Sequence, residues 1–236
     1  MNNIENYFSD IDERLKELIK NGYVKLPPLI HYDLENLANK ISSEMNGKTF
    51  VKLCESHRLF LQDLGIDKYL TPRLFHIAKS FLGYKGEVAN QYHIARLVNP
   101  GNSKELYRAH FDSHLFTLVL PVKIPSADAG KSAGELLYFP KIRNQPNGEI
   151  ANFLGKSYYK RFASKKGIEQ LAYRQELRVD DFHDYCPLLF VGNTTLHTNR
   201  EVSSACSSYR LTLLAHFFDP SPRYGIGSLL RIIRNR

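Results

Sequence analysis

Near Glu87 the hydrophobic period of this 236-residue chain changes, and that change constrains the fold more than any other feature. Before it, apolar residues recur at helical spacing. Ile11, Leu15, Leu18 and Ile19 follow a capping Ser9 and precede Asn21-Gly22; Leu34, Leu37, Ala38 and Ile41 share one face of a helix from about Asp33 to Met45. A third helix is predicted from Thr71-Pro72, with Thr as cap and Pro in the first turn, to Gly83. Between the first two, Gly22–Pro28 is extended. Beyond Glu87 the chain reads as strands at 87–98, 107–123, 134–140, 187–197 and 208–218, interrupted at 150–185 by a helical, basic insertion. Helices followed by many antiparallel-type strands predict an α+β domain built on a β-sandwich or barrel. No linker divides the chain, so it reads as one domain over 1–236: a helical part over about 1–86, a strand core over about 87–219 and a basic tail over 220–236.

Composition narrows the class. With 43% hydrophobic residues the chain can build a core without disulfides, although it has no tryptophan. Cys54, Cys186 and Cys206 are odd in number and lack paired spacing, which argues for reduced thiols rather than a disulfide framework or a zinc knuckle. The acidic first residues, Met1 to Leu15, do not form a signal or presequence, and no apolar run approaches membrane-spanning length, so a cytoplasmic protein is expected. The net charge of +8 is concentrated: Lys156, Lys160, Arg161, Lys165, Lys166 and Arg174 face one acid, Glu169, and a second basic cluster closes the chain.

The strongest local signal is Tyr107-Arg-Ala-His110-Phe-Asp112-Ser. His110 and Asp112 are two apart, so an extended strand would present both on one face. His197 ends the apolar run from Pro187, as expected if a neighbouring strand returns it to the same place. Two histidines and a carboxylate form the facial triad that suits Fe(II) and leaves positions open for a cosubstrate and O₂. His114 completes an H-x-D-x-H string, but residues four apart on a strand lie roughly 13 Å apart, whereas metal bonds are about 2 Å long. His114 is therefore assigned to packing or to the surroundings of the ligands. On the last strand Arg210 and Thr212 share a face, and a guanidinium beside a hydroxyl suits the distal carboxylate of 2-oxoglutarate, whose keto-acid end would chelate the iron. Gln91, Tyr92 and Arg96, on the strand before the metal motif, are further candidates for contact with this cosubstrate; the sequence leaves open which face looks inward.

In this order the motifs resemble the Fe(II)/2-oxoglutarate dioxygenase superfamily, and within it the phytanoyl-CoA dioxygenase type. The resemblance rests on Leu18-Ile-Lys-Asn-Gly22-Tyr-Val-Lys-Leu-Pro27 before a helix, Asn99-Pro100-Gly101 ahead of His110-x-Asp112, Gly134-Glu-Leu-Leu-Tyr-Phe-Pro140, and His197 followed by Arg210-x-Thr212. Phe111 stands where that family often has Gln, and Lys141-Ile-Arg143-Asn replaces its usual Ser-His. The resemblance implies a double-stranded β-helix, or cupin-like jelly roll, flanked by N-terminal helices, and turnover of 2-oxoglutarate and O₂ to succinate and CO₂. Asp112 favours hydroxylation or desaturation over chlorination, since the superfamily's halogenases lack that carboxylate.

A lone H-x-D is common by chance; it is the combination with a distant His and Arg-x-Thr that favours a metal site. The alternatives are a catalytically inactive jelly-roll module binding a carbohydrate or lipid, and a zinc or iron hydrolase on the same ligands. Charge makes an anionic small molecule, or a lipid- or sugar-linked one, the expected substrate, with the insertion as a lid or a solvated helix. Nucleic acid is disfavoured because the basic residues lack an interleaved aromatic platform. The basic segment Ile226–Arg236 is a candidate for peripheral membrane contact, against docking on its own domain. The sequence does not fix an oligomeric state.

Overall fold

A computed structural model describes residues 7–102, 107–127 and 130–220. The segment Ile226–Arg236 lies outside the described residues. The N-terminal part contributes α1 (Ile11–Asn21), β1 (Tyr23–Lys25), α2 (Leu34–Met45), β2 (Phe50–Lys52), α3 (Glu55–Asp63), a π-helical turn at Ile66–Leu70 and α4 (Thr71–Leu82). The remainder contains β3 (Gln91–Val98), β4 (Phe116–Lys123), β5 (Leu136–Phe139), α5 (Glu149–Lys160), α6 (Lys165–Ala172), β6 (Arg178–Asp180), β7 (Leu188–Val191), β8 (Leu196–Asn199) and β9 (Arg210–Phe217).

α1 buries Ile11, Leu15 and Leu18 and ends at Gly22, whose left-handed φ of 84° lets its N–H reach the Leu18 carbonyl at 2.8 Å. Its cap is Asp10 rather than Ser9, with no side-chain capping bond, because the Asp10 carboxylate pairs with Arg14. α2 is capped by Asp33, whose Oδ1 accepts from the Asn36 N–H at 3.1 Å. Thr71 is the first residue of α4 and not its cap; the π-helical turn runs directly into the helix through Leu70. Between Met45 and Thr71, where no periodic pattern stands out in the sequence, lie β2 and α3. β2 is a short, largely exposed edge strand, and α3 places His57 beside Phe60 and Leu61 on its buried face, so the apolar period is broken there.

The strands form two sheets, antiparallel in every described pairing: β1-β7-β4-β9-β3-β2 and β6-β5-β8. The period of two assigns the faces of the larger sheet. Leu211, Leu213, Ala215 and Phe217 of β9, with Leu118 and Leu120 of β4, pack against the N-terminal helices. On the opposite face Val119, Leu188, Phe190 and Leu214 meet Leu136 and Tyr138 of the smaller sheet. The outer side of the smaller sheet is covered in turn by Ile168 and Leu171 of α6 and by Tyr159 of α5. The architecture is α+β, with two facing sheets between helical layers.

Two sequence expectations are corrected. The segment 107–123 is not one strand: regular pairing begins at Phe116, and 107–115 is irregular apart from one bridge at His110. The run 187–197 is broken at Gly192–Thr195, and its halves belong to different sheets. An unbroken apolar run gives no periodic signal for such a break. The insertion 150–185 also ends in β6, which joins the smaller sheet. Among the described residues no helix is long and apolar enough to cross a membrane, and none of the three cysteines forms a disulfide.

His57 is fully buried and neither ring nitrogen has a hydrogen-bond partner among the described residues. Burial, and secondarily the His93 ring at 6.3 Å, push it down to about 3. His93 is pushed down to about 4 by burial, with Asp67 opposing and His216 reinforcing the shift. Both are neutral when folded and would take a proton near 6.5 when unfolded, so this contribution to stability is intact above that pH and is lost as pH falls from there towards about 3. Two units below the unfolded value, His57 alone should cost about 2–3 kcal/mol. His57→Leu should therefore gain stability over the wild type on acidification, read as a widening gap in urea-unfolding midpoints between neutral and mildly acidic buffer; a gap independent of pH would contradict it.

Candidate metal centre

His110 and His197 exchange both backbone hydrogen bonds, N–H to carbonyl, at 3.0 Å each way. Directly opposed residues in such a bridge project side chains to the same side, with Cα atoms about 5.5 Å apart. The two imidazoles accordingly lie with ring centroids 4.4 Å apart. His110 Nδ1 is 2.8 Å from the Arg108 carbonyl and His197 Nδ1 is 3.2 Å from the Thr195 carbonyl. A carbonyl only accepts, so each Nδ1 carries the proton and each Nε2 is left with its lone pair. Both Nε2 atoms face one carboxylate: His110 to Asp112 Oδ1 and His197 to Asp112 Oδ2 are each 3.7 Å. One ligand atom from each of the three residues lies within 4.8 Å of the others, and the group could hold a metal ion. Two neutral imidazoles and one carboxylate are the donor set that a divalent transition metal takes.

Asp112 does not sit on a regular strand. Its N–H donates to the Gly192 carbonyl at 3.1 Å, while the Gly192 N–H donates to the Leu115 carbonyl at 2.8 Å, clamping the 112–115 loop to the turn between β7 and β8. Gly192 has to be glycine for this: an added Cβ would lie 2.8 Å from Thr117 Oγ1 and 3.0 Å from Asp112 Cβ. Thr117 donates to Asp112 Oδ2 at 2.5 Å. Its single proton is thereby used, so the 3.0 Å contact with His216 has Nδ1–H donating to the hydroxyl. Burial opposes ionisation of Asp112, but His197, His216, His110 and the Thr117 hydroxyl outweigh it and hold the carboxyl well below the usual carboxylate range. His110 is the open member, with 52% of its side chain accessible. Even so, the protein packed around its ring and the adjacent His197 hold it towards the neutral form.

β9 carries Arg210, Thr212, Leu214 and His216 on the face that looks between the sheets. Arg210 is buried, and its Nη1 donates to Asn199 Oδ1 at 3.1 Å. Asn199 is two residues beyond His197 on β8, so Arg210 reaches a point about 7 Å along the strand from a ligand of the triad. Burial lowers Arg210 to about 10, with Arg96 adding to the shift and Glu135 and Asp180 opposing it. It stays a cation. Gly134 makes room for it, since a Cβ there would stand 3.1 Å from Arg210 Cδ.

Arg96 lies opposite Thr212 on β3, on this same face, and is close enough to both Arg210 and His110 to depress each. Tyr92 is stacked on His216 at 6.0 Å and on His114 at 6.1 Å, so His114 closes a cluster of rings beside Asp112 and Thr117. Gln91 is corrected: it pairs with Phe217 on the helix-covered face and donates to the Val88 carbonyl at 3.1 Å. Adjacent residues on a strand face opposite ways, so Tyr92 and Gln91 could not both look inward. His216 continues the alternation from Arg210 and Thr212 and was open to sequence reasoning; Thr117 and Gly192 carry no such signal.

No protein-family model and no curated protein matches the chain. Solved structures do. A prolyl 4-hydroxylase of Pseudomonas putida is 14% identical with a TM-score of 0.51, covering 87% of this chain and 97% of that one. Prolyl 4-hydroxylase from Phytophthora capsici is 14% identical with a TM-score of 0.57, over 99% of this chain and 74% of that one. AviO1 from Streptomyces viridochromogenes is 11% identical with a TM-score of 0.51, over 89% and 96%. At these identities the likeness is one of fold.

Removing the hydroxyl that orients Asp112 should loosen the metal site without unfolding the protein. Thr117→Val is expected to weaken binding of Fe(II), or of Co(II) as a probe, by roughly 10–100-fold in calorimetric titration, while Thr117→Ser retains near wild-type affinity. Gly192→Ala should weaken metal binding likewise by displacing Asp112 and Thr117; wild-type affinity in that variant would show that the turn is not part of the clamp.

Proposed function

We propose that the protein is an Fe(II)- and 2-oxoglutarate-dependent dioxygenase that hydroxylates an anionic small molecule or a lipid- or sugar-linked substrate. The observation that carries this reading is one constellation: two imidazole Nε2 atoms facing one carboxylate, with a buried guanidinium one strand repeat away on the same inward side. His110, Asp112 and His197 would hold the iron. Arg210, held by Asn199, would receive the far carboxylate of 2-oxoglutarate, with the Thr212 hydroxyl on the same strand face and Arg96 adding positive potential. With iron and 2-oxoglutarate bound, the site would use O₂ in an oxidative decarboxylation that yields succinate and CO₂ and provides the oxidant for a substrate C–H bond.

The residues of this chain have three tasks in that scheme. Asp112, ionised and oriented by Thr117, would supply the anionic ligand and offset part of the metal's charge. The carbonyls of Arg108 and Thr195 keep both histidines in the ligating tautomer. Burial of Arg210 between the sheets keeps water from competing for the cosubstrate's carboxylate. The fold shared with prolyl 4-hydroxylases supports the hydroxylase reading. A double-stranded β-helix agrees with the two facing sheets, and the motif order supports the phytanoyl-CoA dioxygenase type. Three cysteines that form no disulfide agree with action in the cytoplasm.

Anaerobic addition of Fe(II) and then 2-oxoglutarate should produce a weak visible charge-transfer band that requires both. Arg210→Ala should leave Fe(II) affinity intact and weaken 2-oxoglutarate binding by about 30–150-fold, the loss expected for a charge-assisted contact worth 2–3 kcal/mol. Iron that binds without any response to 2-oxoglutarate would sink the dioxygenase reading in favour of a hydrolase, and absence of metal binding would favour a binding module.

A further inference from the structure

α5 is built inside out. No residue of it is buried, and apart from the Tyr159 ring the side it turns to the body is not its apolar one. Asn152 Oδ1 accepts from Arg143 Nη2 at 2.9 Å, a Cβ on Gly155 would lie 2.6 Å from Arg143 Nη1, and the Tyr159 hydroxyl donates to the Ile142 carbonyl at 3.0 Å. The opposite side carries Ile150, Phe153, Leu154 and Tyr158, spaced at i, i+3, i+4 and i+8, which forms one stripe on a helix. These side chains are 72%, 62%, 61% and 52% exposed. A helix on a soluble domain ordinarily turns such a stripe to the core, and a contiguous exposed patch of this kind marks a binding surface.

Cations gather at the C-terminal end of the stripe. Lys160 is the last residue of the helix, and the Arg161 guanidinium stands 3.7 Å over the Tyr158 ring. Arg161 then joins Phe162, Gln170, Tyr173 and Arg174 around a cleft of about 570 Å³ with two guanidiniums and no acid in its wall. Tyr173, at its rim, is 92% exposed. An apolar stripe continuous with a phosphate-sized concentration of positive charge matches one environment that offers both in layers: the interface of an anionic bilayer, where hydrocarbon lies beneath phosphate. A second copy of the chain fits less well, because the cleft offers no acid to meet the other copy's Arg161 and Arg174.

We infer that α5, with the adjoining end of α6, is a docking surface for an anionic membrane. Ile150, Phe153 and Leu154 enter the apolar side of the interface while Lys160, Arg161 and Arg174 meet lipid phosphates.

The test is co-sedimentation of the full chain, without metal or cosubstrate, with vesicles of phosphatidylcholine alone and with added phosphatidylglycerol. Binding is expected only to the anionic vesicles and should weaken as salt rises. Arg161→Ala with Arg174→Ala should reduce affinity about 25-fold, at about fivefold per surface cation, and Phe153→Asp with Leu154→Asp should reduce it at least as far. None of the replaced side chains is buried, so unfolding midpoints should be unchanged. No binding, equal binding to both vesicle types, or variants that bind like the wild type would each overturn the inference. So would a dimer in solution that becomes monomeric on Phe153→Asp with Leu154→Asp, which would assign the stripe to a second copy.

Discussion

The reciprocal backbone pair between His110 and His197 is the interaction on which the rest of the site depends. It joins an irregular loop to β8 at one point, and it is the hydrogen-bonded register of that bridge, not any side-chain attraction, that sets two imidazoles side by side. Shifted by one residue, the bridge would oppose Leu196 or Thr198 to His110 and turn an imidazole to the far side of the sheet. The second clamp, between Asp112, Gly192 and Leu115, fixes the carboxylate against this pair. The candidate ligands thus come from two places in the chain, the 107–115 loop and β8, but are tied to one another by main-chain bonds, whose geometry side-chain motion does not disturb.

The charge arrangement follows from where this bridge lies. It stands where the smaller sheet meets the inner face of the larger, so anything placed near it on β9 is buried between two sheets. Burying a guanidinium without compensation costs several kcal/mol. Arg210 is compensated by Asn199 and by the negative potential of Glu135 and Asp180, in room left by the glycine at 134. The nearby positive charge of Arg96 works the other way. The same face then ends in His216 and its ring partners, which is where Asp112 needs a dry, oriented hydrogen-bond donor.

How much of this was legible in the sequence depended on the kind of signal. His110, Asp112, His197, Arg210 and Thr212 stand out because unusual residue types sit at fixed offsets within apolar surroundings. The geometric reason for their convergence was not legible: the sequence pattern predicts one strand through 107–123 and another through 187–197, whereas backbone breaks at 107–115 and 192–195 are what aim the ligands. Gly192 causes such a break, yet in the sequence it is one glycine in an apolar run. Gln91 failed as a candidate because periodicity fixes which residues share a face but not which face is inner. α3 was hidden by His57, a polar residue on a buried face, and polar residues in cores are what binary patterning cannot anticipate.

Arg143 shows how the outer helical layer is attached to this centre. Its Nε donates to the Asn193 carbonyl at 2.8 Å, in the turn whose Gly192 clamps Asp112, and its Nη2 holds Asn152 of α5. Its guanidinium lies 3.8 Å over the ring of Phe111, the residue between two ligands, and Phe111 meets Tyr159 of α5 edge to face at 5.2 Å. Burial pushes Arg143 down to about 10, so it is a desolvated cation spent on connection rather than on solubility. The Lys141-Ile-Arg143-Asn segment therefore supplies the joint between α5 and the loops that carry the candidate ligands. Because the joint has hydrogen bonds at both ends and a stacked ring in the middle, α5 cannot tilt as a rigid helix without drawing on Phe111 or on the turn at Asn193. The polar side of α5 is committed to that joint, and this is the physical reason its apolar stripe faces outward.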